Sequence, residues 1–79
     1  MTNIEKYNAV FMGTFSINEN DLKENPTYQK LKVWDSVAHM SLIFAIEEAF
    51  DISFETDDMI DFDSYEKGKE LLKKYDIQF

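Results

Sequence analysis

Apolar side chains along this chain recur mainly at helical rather than alternating spacing, and they do so in three places. The first is Ile4, Tyr7, Val10 and Phe11, one face of a helix expected to open at the Thr2-Asn3-Ile4-Glu5 capping box and stop at Gly13. In such a box the cap hydroxyl and the carboxylate three residues on each satisfy the other's free amide. The second is a continuous helix over residues 36–50, capped by a side-chain oxygen of Asp35 or Ser36. The third opens at Asp63-Ser64-Tyr65-Glu66, a second capping-box pattern with Asp63 in the cap position. It runs to about residue 75, buries Tyr65, Leu71, Leu72 and Tyr75, and carries Lys73 and Lys74 at its negative end. Gly68 inside it costs about 1 kcal/mol relative to Ala, so it either allows a close approach or is simply tolerated.

Two weaker segments lie between these helices. Thr56-Asp57-Asp58 opens a short helix through Phe62, its acids placed at the positive end. Residues 14–34, with Asn18, Asn20, Asn25 and Pro26, read as a long connection of a kind that is uncommon in small domains and often functional. Phe15, Ile17, Leu22, Tyr28 and Leu31 are expected to pin it to the core, with a helical turn around 28–32. The fold expected is all-α, a small bundle of three main helices plus one short helix, forming one domain over residues 1–79.

The helix over 36–50 has more apolar surface than one core face needs. At about 100° per residue, one arc holds Ala38, Leu42, Ile43, Ala45, Ile46, Ala49 and Phe50. The opposite arc, which ought to be polar, holds Val37, Met40 and Phe44 at i, i+3, i+7, among Ser36, Ser41, Glu47 and Glu48. Either a neighbouring helix covers this stripe, or it faces a partner. Met adapts to varied surfaces and Phe is a large anchor, so both suit partner contact. His39 falls in the core arc and reads as a partly buried imidazole with one hydrogen bond, not a catalytic base.

Charge sharpens this picture. The chain has 79 residues, 16 acids, 8 lysines and no arginine, with a formal net charge of -8 and a pI near 4.4. Residues 1–34 sum to zero, residues 35–66 carry ten acids and no base, and residues 67–79 carry +2. The negative field therefore comes from one contiguous stretch, where it either steers basic partners or simply keeps the chain solvated. Such acidity argues against nucleic acid and anionic membranes, which need clustered Lys and Arg. The absence of Cys excludes thiolate metal sites and a thiol nucleophile, and a single His argues against His-based zinc. A hydrophobic fraction of 44% with 12 aromatics is too rich for a disordered acidic tail. With no membrane-length apolar run and no signal-peptide pattern, the expectation is a soluble, cytoplasmic, monomeric domain.

The stretch Val33-Trp34-Asp35-Ser36-Val37-Ala38-His39-Met40, continuing through Glu47-Glu48-Ala49-Phe50-Asp51-Ile52, resembles the acyl carrier protein family. That family opens its second helix with Asp-Ser-Leu and follows it with apolar positions and an acidic pair before Phe. The Asp63-Ser64-Tyr65 start and the short acidic helix fit as well. The resemblance spans the chain, with the first helix and the long connection fitting by length rather than motif. It implies an acyl-carrier-protein-like fold in which Ser36, adjoined by Asp35, carries 4′-phosphopantetheine whose thiol holds an acyl or aminoacyl group. It implies no catalytic residue and no metal site in the chain itself. The implied partners are a phosphopantetheinyl transferase, an acyl- or aminoacyl-loading ligase and a downstream transferase or synthase. Val37, Met40 and Phe44 would give the apolar contact, and Glu47, Glu48, Asp57 and Asp58 the steering. Ala38 and Ser41 replace acids typical of housekeeping fatty-acid carriers. Trp34 and His39 are similar to the Trp-Asp-Ser-Leu-x-His pattern of carriers from specialised biosynthetic clusters. The double-glycine Ser motif of peptidyl carriers is absent.

Three other readings compete with the carrier. A calcium loop starting at Asp61 would need Gly and Glu where Glu66 and Leu72 stand. A small hydrolase would need a nucleophile–base spacing the chain does not offer. An acidic helical interaction module without a prosthetic group, with Ser36 as a plain helix cap, is the alternative to the carrier.

Overall fold

The computed structural model describes residues 1–79 as five helices and no strand: α1 (Asn3–Phe15), α2 (Glu19–Lys23), α3 (Ser36–Phe50), α4 (Thr56–Asp61) and α5 (Tyr65–Lys73). It is an all-α protein, and none of its helices is long and apolar enough to cross a membrane.

The capping box at Thr2 forms as expected, with Glu5 N–H donating to the Thr2 hydroxyl and Thr2 N–H to the Glu5 carboxylate. The accepted bonds hold the Glu5 carboxyl below its usual range. Gly13 does not stop α1, which adds a half turn and buries Phe15 below Tyr7 and Phe11 on one stripe. Its end is set by Ser16, whose φ is 55°, and by Ile17 N–H reaching back to the Met12 carbonyl. α3 ends in the same way. Asp51 has φ 54°, and Ile52 N–H bonds the Glu47 carbonyl. After α5, Asp76 has φ 65° and Ile77 N–H bonds the Leu72 carbonyl. Each pair closes a Schellman turn, in which a left-handed residue is followed by an apolar one that folds back onto the helix. The third helix thus ends at Lys73 rather than Tyr75, and Tyr75 is only half-buried.

The connection after α1 contains a short helix, α2, which the apolar pattern alone does not reveal. Asn18 and Asp21 form a reciprocal capping box around it. A single turn forms over residues 28–30, closed by Leu31 N–H on the Thr27 carbonyl (3.0 Å), near the turn expected around 28–32. The chain is also clamped to the start of α5: Tyr28 N–H donates to the Asp63 carbonyl (2.8 Å) and Tyr65 N–H to the Pro26 carbonyl (2.9 Å). Leu22 is buried, Ile17 and Leu31 pack at the core's edge, and Tyr28 stays exposed rather than pinned inside. α5 is capped by Ser64, whose Oγ accepts from Lys67 N–H, and not by Asp63.

The core lies between α1 and α3 and is closed by α5. Tyr7, Phe11, Leu42, Ile43, Ile46, Phe62 and Leu72 are wholly removed from solvent. Burying each such side chain contributes roughly 1.5–3 kcal/mol. Tyr7 donates its hydroxyl to the Tyr65 carbonyl at 2.6 Å, and burial pushes its phenol above the usual range. Gly68 marks a close approach. A Cβ there would fall well inside the contact distance of the Phe62 ring and the Tyr7 hydroxyl.

Gly68→Ala is therefore expected to destabilise by about 1–3 kcal/mol despite its gain in helix propensity. Gly13→Ala, in a helix interior with nothing within 4 Å, is expected to stabilise by about 0.5–1 kcal/mol. Urea unfolding of the two variants should shift the midpoint in opposite directions.

Candidate functional site

Ser36 opens α3 with an exposed side chain. The cap is Asp35: its Oδ1 accepts Ala38 N–H at 2.9 Å, and its carbonyl accepts His39 N–H at 2.8 Å. The Ser36 hydroxyl is thus not spent on capping. The Ser36 and Val37 amides, the first two of the helix, have no partner within the chain. Ser36 Oγ faces the Tyr28 hydroxyl at 3.5 Å.

Ser36 sits at the edge of an open cleft of about 380 Å³. One wall is Tyr28, His39 and Met40, and the other is Met59 and Ile60 of α4, with Phe62 beside them. The walls are held together by a short chain of hydrogen bonds. Trp34 Nε1–H donates to His39 Nδ1 (2.9 Å), so the imidazole proton lies on Nε2, which donates to the Met59 carbonyl (2.8 Å). His39 therefore makes two bonds, one more than expected, and neither nitrogen is left for chemistry. The buried Trp34 indole stacks on the imidazole and meets Phe11, Phe15 and Phe62 behind it.

On the outer face of α3, Val37 (77% exposed) and Phe44 (57%) lie in solvent with no helix over them, while Met40 (37%) is partly covered and lines the cleft opposite α4. Ile60, 72% exposed on α4, faces solvent as well and was not singled out by the sequence. Glu48 and Asp57 are exposed and form no salt bridge. Two of the other acids have different work. Glu47 is half-buried and accepts Phe54 N–H at 2.7 Å, closing the turn after α3.

Asp58 does not belong with the exposed acids. It is 3% accessible and accepts from Lys74 Nζ (2.8 Å) and the Tyr75 hydroxyl (2.6 Å). Tyr75 also accepts Glu55 N–H, so the segment after α5 ties down the residue that precedes α4. The Lys74 and Tyr75 donors hold the Asp58 carboxyl below its usual range, and the bond to that carboxylate in turn pushes Lys74 up. Asp58 is a structural anchor and leaves the group of steering residues. The pattern that betrays it is visible only once the fold brings Lys74 and Tyr75 across to α4.

The acids do not converge as metal ligands: no three His, Asp or Glu side chains come together. Of the cleft residues, Met59 and Ile60 carry no signal in the sequence, and Tyr28 reads there as a core pin rather than as part of a site. The bridge that brings Tyr28 to Ser36 joins positions 27 and 64, and local patterning carries no signal for it. No protein-family model, curated protein or solved structure matches the chain.

Two outcomes follow from these bonds. His39→Phe keeps a ring but leaves the Trp34 N–H and the Met59 carbonyl unpaired, and should cost about 1–3 kcal/mol per group. Urea unfolding followed through Trp34, the sole tryptophan, reads this loss, and His39→Gln should lose less. For Asp58, the depressed carboxyl contributes stability that is fully present above its unfolded pKa of about 4 and is lost as pH falls through the lower folded value. The acid limb of stability against pH should therefore be shallower in Asp58→Asn than in wild type. Asp58→Asn should also be weaker at neutral pH by about 1.5–3 kcal/mol.

Proposed function

We propose that this chain is an acyl carrier protein with a carrier-type helical bundle, in which Ser36 bears 4′-phosphopantetheine. The observation that carries the reading is Ser36 itself. Its hydroxyl is exposed on the first turn of α3, and Asp35, not Ser36, does the capping. A serine that was only a cap would have its oxygen on a first-turn amide.

The residues present fit the group. The unpaired Ser36 and Val37 amides and the positive end of a 15-residue helix favour a phosphate esterified at that oxygen. Asp35 fixes the first turn and with it the position of the oxygen. Ser36 Oγ would bond the pantetheine-bearing phosphorus of coenzyme A as the pyrophosphate P–O bond breaks, its proton passing to the transferase and adenosine 3′,5′-bisphosphate leaving. When attached, the arm supplies the thiol that this chain lacks, and with it thioester chemistry. Val37, Met40 and Phe44 form the apolar contact for the transferase, for a ligase loading an acyl or aminoacyl group and for the downstream transferase or synthase. Glu48 and Asp57 steer basic partner surfaces, and fast encounter through such charges suits transient complexes. The Trp34 and His39 pair supports a carrier of specialised biosynthesis over the housekeeping fatty-acid carrier.

The same uncovered stripe also fits an interaction module without a prosthetic group, and one experiment separates the two. Wild type and Ser36→Ala are incubated with coenzyme A, Mg²⁺ and a broad-specificity phosphopantetheinyl transferase, and intact mass is read. The expected outcome is gain of one phosphopantetheine by wild type alone. No gain by folded wild type with several transferases supports the module, and gain by both proteins moves the arm away from Ser36.

A further inference from the structure

Tyr28 is a residue with no core role and a fixed position. Its ring is outside the buried cluster, yet its backbone is tied down by the 2.8 Å bond to the Asp63 carbonyl. The ring stands edge-on to Trp34 and to His39, at 6.3 and 6.0 Å between centroids. Both of those rings are themselves held, the imidazole at both nitrogens. The phenol thus rests on a rigid platform with its hydroxyl outward, and the one partner that hydroxyl has is Ser36 Oγ.

The 3.5 Å separation is too long for a strong O–H···O bond, whose usual span is about 2.5–3.0 Å. A phosphate ester on Ser36 carries its non-bridging oxygens two bonds beyond Oγ, and one turned to the side of the Oγ–phenol line comes within hydrogen-bond reach of the Tyr28 hydroxyl. Among the other polar side chains of the cleft, His39 has no free nitrogen, Asp63 is a carboxylate that repels an anion, Thr56 belongs to α4 rather than to the segment bonded to Ser36, and no lysine lines the walls.

We propose that Tyr28 is a positioning residue for the modified serine: its hydroxyl donates to a non-bridging oxygen of the phosphodiester on Ser36 and fixes the direction in which the arm leaves α3. This rests on the carrier reading above. The role is one of orientation, since Tyr28 supplies no proton to any bond that forms or breaks.

Tyr28→Phe removes the donor and keeps the ring and its edge-on contacts. Wild type and variant are both modified as above, checked by circular dichroism for unchanged helix content, and compared by ³¹P NMR. The expected result is equal final mass gain, with the variant's phosphodiester resonance shifted and narrowed as the phosphate loses a donor and gains freedom. A side chain that mattered only for packing would not move that signal. Identical position and width in the two proteins overturns the Tyr28 assignment and leaves the carrier reading intact. Modification of wild type but not of Tyr28→Phe also overturns it, because the residue would then act at the transferase step. Failure of folded wild type to be modified overturns both.

Discussion

The fold around the candidate site depends on a donor finding an acceptor in a place that is otherwise hydrocarbon. The Trp34 indole is buried among Phe11, Phe15 and Phe62, and its N–H must be satisfied there. His39 meets that need and hands its own proton to α4. Three segments that share no local sequence are tied by two hydrogen bonds: the connection before α3, α3 itself and α4. Because Trp34 directly precedes the Asp35 cap, the same bonds decide where α3 starts and how its first turn faces the cleft. A lone histidine on an apolar arc is here a strut, which agrees with its unsuitability as a base.

What the sequence made legible follows from how local each determinant is. The α1 stripe, the 15-residue α3 and the acids at the head of α4 are set by periodicity and caps within a few residues. The outward stripe of Val37, Met40 and Phe44 belongs to the same kind of signal, because a helix wheel needs no tertiary knowledge. Asp58 and Tyr28 are the opposite case. Asp58 meets Lys74 and Tyr75 sixteen and seventeen residues away, and Tyr28 is placed by the bridge between 27 and 64. A charged or aromatic residue in a polar stretch looks solvated until a distant partner is known. Gly13 misled for a related reason. A glycine is a common helix stop, but Ser16-Ile17, Asp51-Ile52 and Asp76-Ile77 end the helices here, with polar residues in the left-handed region and isoleucines folded back. That recurring pair is a signal that was available in the sequence.

The starts of α3 and α5 make an instructive contrast. At α5 the first three amides are taken by Pro26, Asn25 and Ser64, two of them from a segment some forty residues away. At α3 only the third amide is met by a cap side chain, and the first two face outward. Two helix starts in one small protein are thus treated in opposite ways. The one that closes the fold is sealed, while the one bearing Ser36 is left open to solvent.

The Schellman turn at Asp51 and Ile52 has a further effect on α3. With the Asp35 carboxylate at one end and the folded-back isoleucine at the other, the helix is held between two stops and cannot slide or rewind by a residue. Its phase is locked as well as its length. A single insertion between the stops would rotate the downstream face by about 100°. That rotation would carry Phe44 out of line with Val37 and turn Ile46 out of the core. The outward stripe and the buried face are therefore one registration, and neither can be re-aimed without unseating the other.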